Sequence, residues 1–204
     1  MKITKLKFLV LSCCCIGCLF LSSSTTIDKD ISLIRERYSQ ITQLKSKHLL
    51  EKSVIRYQCP DYPEEGTVTF YADHGEYRLV ELSYSQGDHY GASEEYYIWD
   101  NQVFFYYFSS AIWSFDFSNS GDATEANTLD TFEENRVYFS EGKAIRCLKK
   151  NYEVRSTDEI PLTADKVANE AYDCFEGAAI INKYEQLLQL AESEDVPGCI
   201  WEEE

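Results

Sequence analysis

The raw material of most catalytic sites is thin in this chain. Histidine occurs three times, at His48, His74 and His89. Beyond residue 24 there is no His-Glu-x-x-His, no Gly-x-Ser-x-Gly, no phosphate-cradling glycine loop and no Cys-x-x-Cys pair. Zinc-peptidase, serine-hydrolase, nucleotide-dependent and dithiol chemistry therefore have no sequence foothold, and no cofactor is expected. Basic residues are few as well, 19 against 35 acidic ones, and the net charge of −16 makes nucleic acid and anionic lipid poor partners. A cationic protein, a divalent ion or a neutral polymer is what such a surface leaves. The one long apolar run, Phe8 to Leu21, is about 14 residues, short of the roughly 20 that a helix needs to cross a bilayer. With four prolines, nine glycines and no Pro/Gly/Ser linker, a single domain is expected.

That apolar run belongs to a recognisable layout. Lys2, Lys5 and Lys7 precede it and the polar string Ser22 to Thr26 follows, which is the three-part pattern of an export signal over residues 1–24. Two processing routes fit, with an uncleaved tether as a third alternative. Cleavage after Ser24 uses the small-residue exit, whereas Cys15-Ile16-Gly17-Cys18 resembles a bacterial lipobox with Cys18 as the lipidated residue and the membrane contacted through the lipid alone. Removing residues 1–24 takes three basic residues and no acidic ones, which leaves 16 basic against 35 acidic residues and a net charge of −19. The expected localisation is extracytoplasmic: periplasmic or secreted, or an outer-membrane lipoprotein.

Four cysteines remain after such processing: Cys59, Cys147, Cys174 and Cys199. An oxidising compartment lets an even number pair, and three pairings are possible. Cys147 with Cys174 and Cys59 with Cys199 is preferred, because the first joins a strand to a following helix and the second ties down a loose acidic tail over residues 197–204.

Between signal and tail, residues 25–196 read as one domain. Ile27, Ile31, Ile34, Tyr38, Ile41 and Leu44 recur at spacings of three and four, which predicts an amphipathic helix from about Thr26 or Asp28 to about Lys52. From Val54 to Val154 the chain turns to short runs of Tyr, Phe, Val, Ile and Trp. Three segments align, Tyr71–Tyr77, Tyr97–Val103 and Tyr138–Ala144. Each carries a pair suited to positive φ: His74-Gly75, Asp100-Asn101 and Glu141-Gly142. They predict three hairpins. The bulk of Val103 to Phe108 predicts a strand covered on both faces, while Thr67, Thr69 and Tyr71 alternating with Val68, Phe70 and Ala72 predict one wet and one dry face. A helical period returns over about Thr163 to Glu192, with Gly177 as a place to break it. The fold class is thus α+β: an antiparallel meander of six or seven strands with the N-terminal helix and a C-terminal helix or helix pair on one face.

Two segments stand out as candidate sites. Ser85 to Gly91 is a glycine-bearing connection in which Asp88, His89 and Tyr90 are candidates to point at one ligand; a loop that merely needs unusual dihedrals explains the same residues. Asp116 to Asn127 has the spacing of a calcium loop, with Asp116, Ser118, Ser120 and Asp122 as metal candidates and Gly121 at the sixth position. Asn127 stands where a bidentate Glu belongs, so a polar surface loop is the competing reading. The aromatics from Tyr84 to Trp113 are either core or a platform for stacking on sugars or peptides.

Taken in order, Tyr57-Gln58-Cys59-Pro60, Gly66 to Tyr71, Glu94 to Tyr97, Trp113 to Asp116 and Gly142 to Leu148 resemble a family of uncharacterised exported proteins of the Bacteroidota. The resemblance implies a cell-envelope or secreted protein and brings no activity or site residues with it. Tyr57-Gln58-Cys59 alone is similar to the opening strand of periplasmic lysozyme inhibitors, whose small barrel has no place for flanking helices. The expected function is a non-catalytic binding or interaction module meeting a protein or glycan of the envelope, against a carboxylate-based hydrolase of an extracellular polymer.

Overall fold

A computed structural model describes residues 21–117, 127–193 and 198–200. Helix α1 (Leu21–Ser46) leads into strands β1 (Glu51–Gln58), β2 (Glu64–Asp73), β3 (Glu76–Gln86), β4 (Tyr90–Trp99), β5 (Gln102–Phe115), β6 (Thr128–Ser140) and β7 (Lys143–Arg155). A 3-10 turn at Ala164–Lys166, the two-residue strand β8 (Glu170–Ala171) and helix α2 (Gly177–Glu192) complete the elements among the described residues. The sheet runs in sequence order from β1 to β8 and every pairing is antiparallel, so the fold is an α+β meander of eight strands.

The three anticipated hairpins form where the turn chemistry placed them. His74, Gly75, Asp100, Asn101, Glu141 and Gly142 all have φ between 51° and 80°, the left-handed values that a two-residue turn between right-twisted strands requires. Helix α1 starts earlier than its capping residues suggested, at Leu21 inside the segment read as signal, and stops earlier, at Ser46. Its end is a Schellman motif: the Leu49 N–H donates to the Leu44 carbonyl and the His48 N–H to the Lys45 carbonyl, with His48 at φ 55°. The apolar period beyond that point belongs to β1 instead.

The helices do not share a face, which corrects the expectation of one roofed and one wet side. Along β3 and β4, Val80, Leu82, Tyr96 and Ile98 join Ile180, Tyr184 and Leu187 of α2 in one core cluster. Leu79 and Tyr97, of opposite parity, join Ile31, Ile34 and Ile41 of α1 in the other. Thr69 is for this reason 7 % exposed although it lies on the side expected to be wet. The centre of the sheet is accordingly buried from both directions, as the bulk of Val103 to Tyr106 requires.

The route between the faces lies in the segment that was expected to be helical from Thr163. Beyond β7 the chain first lies on the α1 side, where the buried Lys150 ammonium donates to the Ala164 carbonyl at 2.7 Å and Arg136 donates to Asn169 at 2.8 Å. It then pairs with the edge as β8, Leu148 opposite Ala171, and passes through the Cys147–Cys174 disulfide to the other side. Gly177 does not break a helix but begins one: a Cβ there would stand 2.9 Å from that of Ala144, so the helix starts against β7 only with glycine. The second disulfide, Cys59–Cys199, fixes the chain beyond α2 to the end of β1.

Candidate functional site

Register turns the α1 side of the sheet into transverse rows. The first runs Tyr71, Leu79, Tyr97, Phe105, Tyr138 and is roofed by α1, with Tyr38 ringed against Tyr97 at 4.8 Å and Phe105 at 5.4 Å. The second runs Thr69, Glu81, Glu95, Tyr107, Arg136 and the third Thr67, Ser83, Ser93, Ser109, Glu134. A fourth holds Glu65, Ser85, Gly91, Ala111 and Phe132. Among the described residues no α-helix packs on the third and fourth rows, because α1 follows the first row from its Tyr138 end, beside Ile34 and Tyr38, to its Tyr71 end, under Lys45, and then turns into β1.

A cleft of about 410 Å³ opens where the roof stops. Tyr38, Phe105, Tyr107 and Tyr138 wall it, Glu95 is on its floor, and Arg35 and Arg136 stand at its rim. Arg136 is engaged, donating to Glu134 at 2.6 Å and to Asn169 at 2.8 Å with its guanidinium over the Tyr107 ring. Arg35, exposed on α1, has no carboxylate partner among the described residues. The Glu95 carboxylate accepts from the Tyr97 hydroxyl at 2.6 Å. Burial, with Glu81 opposite it on β3, outweighs that hydrogen bond and the Lys45 ammonium and raises its pKa above the usual carboxylate value. Burial pushes the Tyr107 hydroxyl up to about 12, so it is a neutral donor and acceptor at any ordinary pH.

Tyr107 also borders a shallow groove of about 360 Å³ over the third and fourth rows. Its floor is Gly91, Ser93, Ser109 and Ala111, and its far wall is the Phe132–Tyr152 pair, stacked at 4.8 Å with planes 14° apart. Aromatic walls, hydroxyl-bearing floor and a few convergent polar groups are the makings of a ligand site.

The other face is covered by α2 at its centre. Beneath α2, Glu94 is 2 % exposed and accepts from Tyr96 at 2.5 Å, from Tyr106 at 3.1 Å and from the Lys183 ammonium at 2.5 Å. Burial raises the pKa values of Tyr96 and Tyr106 far above that of free tyrosine, with Glu94 adding to the effect. A buried carboxylate so fully bonded is a structural node, and it accounts for a polar centre in an otherwise apolar core.

The residues singled out in the sequence are not brought together. His89 stacks on Trp113 at 3.8 Å, and the Trp113 indole N–H donates to the Asp88 carbonyl at 2.7 Å. Tyr90 turns to the opposite face and meets Tyr84. Asp88, His89 and Tyr90 therefore share no ligand point; alternation on a strand separates neighbours. Asp116 is held at 3.2 Å by the Arg155 guanidinium, while Ser118, Ser120 and Asp122 lie outside the described residues. Among the described residues no group of three or more His, Cys, Asp or Glu is arranged to hold a metal. Of the aromatics from Tyr84 to Trp113, Tyr96, Tyr97 and Phe104 to Tyr106 are core, and Tyr107 alone lines both cleft and groove. The signal that was available for Glu95 was the Glu94-Glu95 pair inside an aromatic strand, since adjacent strand residues must face opposite sides and both sides are covered.

Comparison with protein-family models, curated proteins and solved structures finds no match. Fold and site alone define the class: a disulfide-stapled α+β meander, covered by α2 over the centre of one face and by α1 over part of the other, with an aromatic cleft at the border of the α1 roof. Two disulfides fit an oxidising compartment outside the cytoplasm, and among the described residues no helix is long and apolar enough to cross a membrane.

Proposed function

We propose that this chain is an exported, non-catalytic binding module of the bacterial cell envelope that takes its ligand in the cleft beside α1. The observation that carries the reading is the make-up of the cleft: four aromatic rings around a lining that holds one carboxylate, Glu95. Hydrolysis of a glycosidic bond by the usual route uses two carboxyl groups flanking the bond, about 5–9 Å apart. Glu81, the only acidic neighbour opposite Glu95 in the register, is bonded by Lys45 and lies outside the cleft lining. Binding needs no second acid. Export is supported by the signal-like residues 1–24, with lipidation at Cys18 as the alternative route, and the likeness to exported Bacteroidota proteins points to the envelope or the medium.

The test is capture from envelope extract by the full mature chain at low and high salt, beside a Tyr38→Ala/Tyr107→Ala double variant. A partner retained by the native chain and lost by the variant supports the cleft as the site. A partner that is kept by the variant and released by salt places recognition on the acidic surface and overturns the cleft reading.

A further inference from the structure

Beyond Tyr107 the groove has a chemistry of its own. Ser93 and Ser109 lie on its floor, and register continues their row across β3 and β2 to Ser83 and Thr67, which line the adjacent depression. At strand spacing that row is about 14 Å long. Every hydroxyl both donates and accepts. Of the two glutamates lining the groove, Glu134 is held by Arg136 at 2.6 Å and stands 3.9 Å from the Lys150 ammonium, and Glu133 accepts from the Asn135 amide at 2.7 Å. The Phe132–Tyr152 stack and Tyr107 present apolar ring surface along the same floor.

We propose that the ligand is a neutral glycan chain lying across the strands, one end in the aromatic cleft and its length over the hydroxyl row. The inference rests on the reading of the cleft as a binding site and adds the class and path of the ligand. Polyhydroxylated rings match a floor of hydroxyls and stack their apolar faces on tyrosine and phenylalanine. A polyanion is opposed by the net charge of −16. An extended peptide gains its main-chain hydrogen bonds at a sheet edge, which a sheet face cannot supply.

Affinity electrophoresis of the full mature chain through gels holding a β-glucan, an α-glucan, a galactomannan or, as the charged control, polygalacturonate tests this. At least one neutral polymer retards the native chain and polygalacturonate does not. Ser109→Trp, which fills the floor, weakens that retardation about tenfold. Ser114→Trp, on the same strand with opposite parity, leaves it unchanged, and circular dichroism confirms that both variants fold. Retardation that survives Ser109→Trp but vanishes in the Tyr38→Ala/Tyr107→Ala variant overturns the cross-strand path, and stronger retardation by polygalacturonate overturns neutrality. If no polymer retards the native chain while cleft-dependent capture from extract persists, the glycan falls and the binding module stands; if both fail, both readings fall.

Discussion

Glu94 and Glu95 are neighbours in sequence with opposite fates. Glu94 faces α2 and has a cation, Lys183, on its carboxylate. Glu95 faces the cleft, with a tyrosine hydroxyl on one oxygen and Glu81 across the strand pair. Burial raises the Glu95 carboxyl pKa above 4.5, so over a window above pH 4.5 the native state holds a proton that the unfolded chain has released. Stability contributed by this group is thus full below pH 4.5 and falls as pH rises through that window. Glu95→Gln keeps an oxygen for the Tyr97 hydroxyl and removes the titration. The variant is expected to be more stable than the native chain on the alkaline side of that window and to lose the decline that begins above pH 4.5. Urea unfolding at a series of pH values checks it; a variant that keeps the native slope would mean that another group titrates there.

At the level of elements, the hairpin turns carry the clearest sequence information, because positive φ admits few residue types. The third turn is the imperfect one. Glu141 sits at φ 51°, where an unbranched L-residue is strained and asparagine is better tolerated. Glu141→Asn should therefore stabilise the fold by about 0.5–1 kcal/mol, a rise of roughly 1–4 °C in Tm for a domain of this size. A thermal scan that moved the other way would show that the Glu141 side chain contributes something the turn geometry does not reveal. The strand covered on both sides was legible for a similar reason, since nothing but two covered faces tolerates Val103 to Phe108. The distribution of the helices was not. Period-two alternation says that a strand has two sides and is silent on which helix roofs which, so Thr69 read as wet and is buried on the α1 side of the sheet. The turn from β7 through β8 to α2 was equally hidden: Val167, Ala171 and Cys174 keep a helical spacing by coincidence while their backbone is spent on an edge strand and a disulfide. The cleft was least legible of all. Arg35, Glu95, Tyr107 and Arg136 come from a helix and three different strands, and only register brings them to one rim.

For the whole molecule, α2 is the element whose position depends most on covalent chemistry. Cys147–Cys174 ties its entrance to β7, and Cys59–Cys199 ties its exit to the end of β1. Between the ties it runs from Gly177 against Ala144 of β7, with Ile180, Tyr184 and Leu187 in the core beneath it. The two bridges close loops of very different size, with sequence separations of 27 and 140. On the chain-entropy account the shorter contributes about 3.6 kcal/mol and the longer about 5 kcal/mol by restricting the unfolded chain. Replacing both cysteines of a pair by serine separates the two. The Cys59→Ser/Cys199→Ser protein should lose more stability than the Cys147→Ser/Cys174→Ser protein, by about 1.4 kcal/mol, because the long bridge removes more unfolded conformations. Urea midpoints at matched slopes measure the difference. The reverse order would place the greater effect in the native state: Cys147, 3 % exposed, holds the turn from one face of the sheet to the other, and without it β8 and the start of α2 would come away together. Hydrogen exchange distinguishes the two causes, since a purely unfolded-state effect leaves the amides of α2 as protected as in the native chain relative to global stability, whereas a native-state effect exposes Gly177 to Tyr184 first.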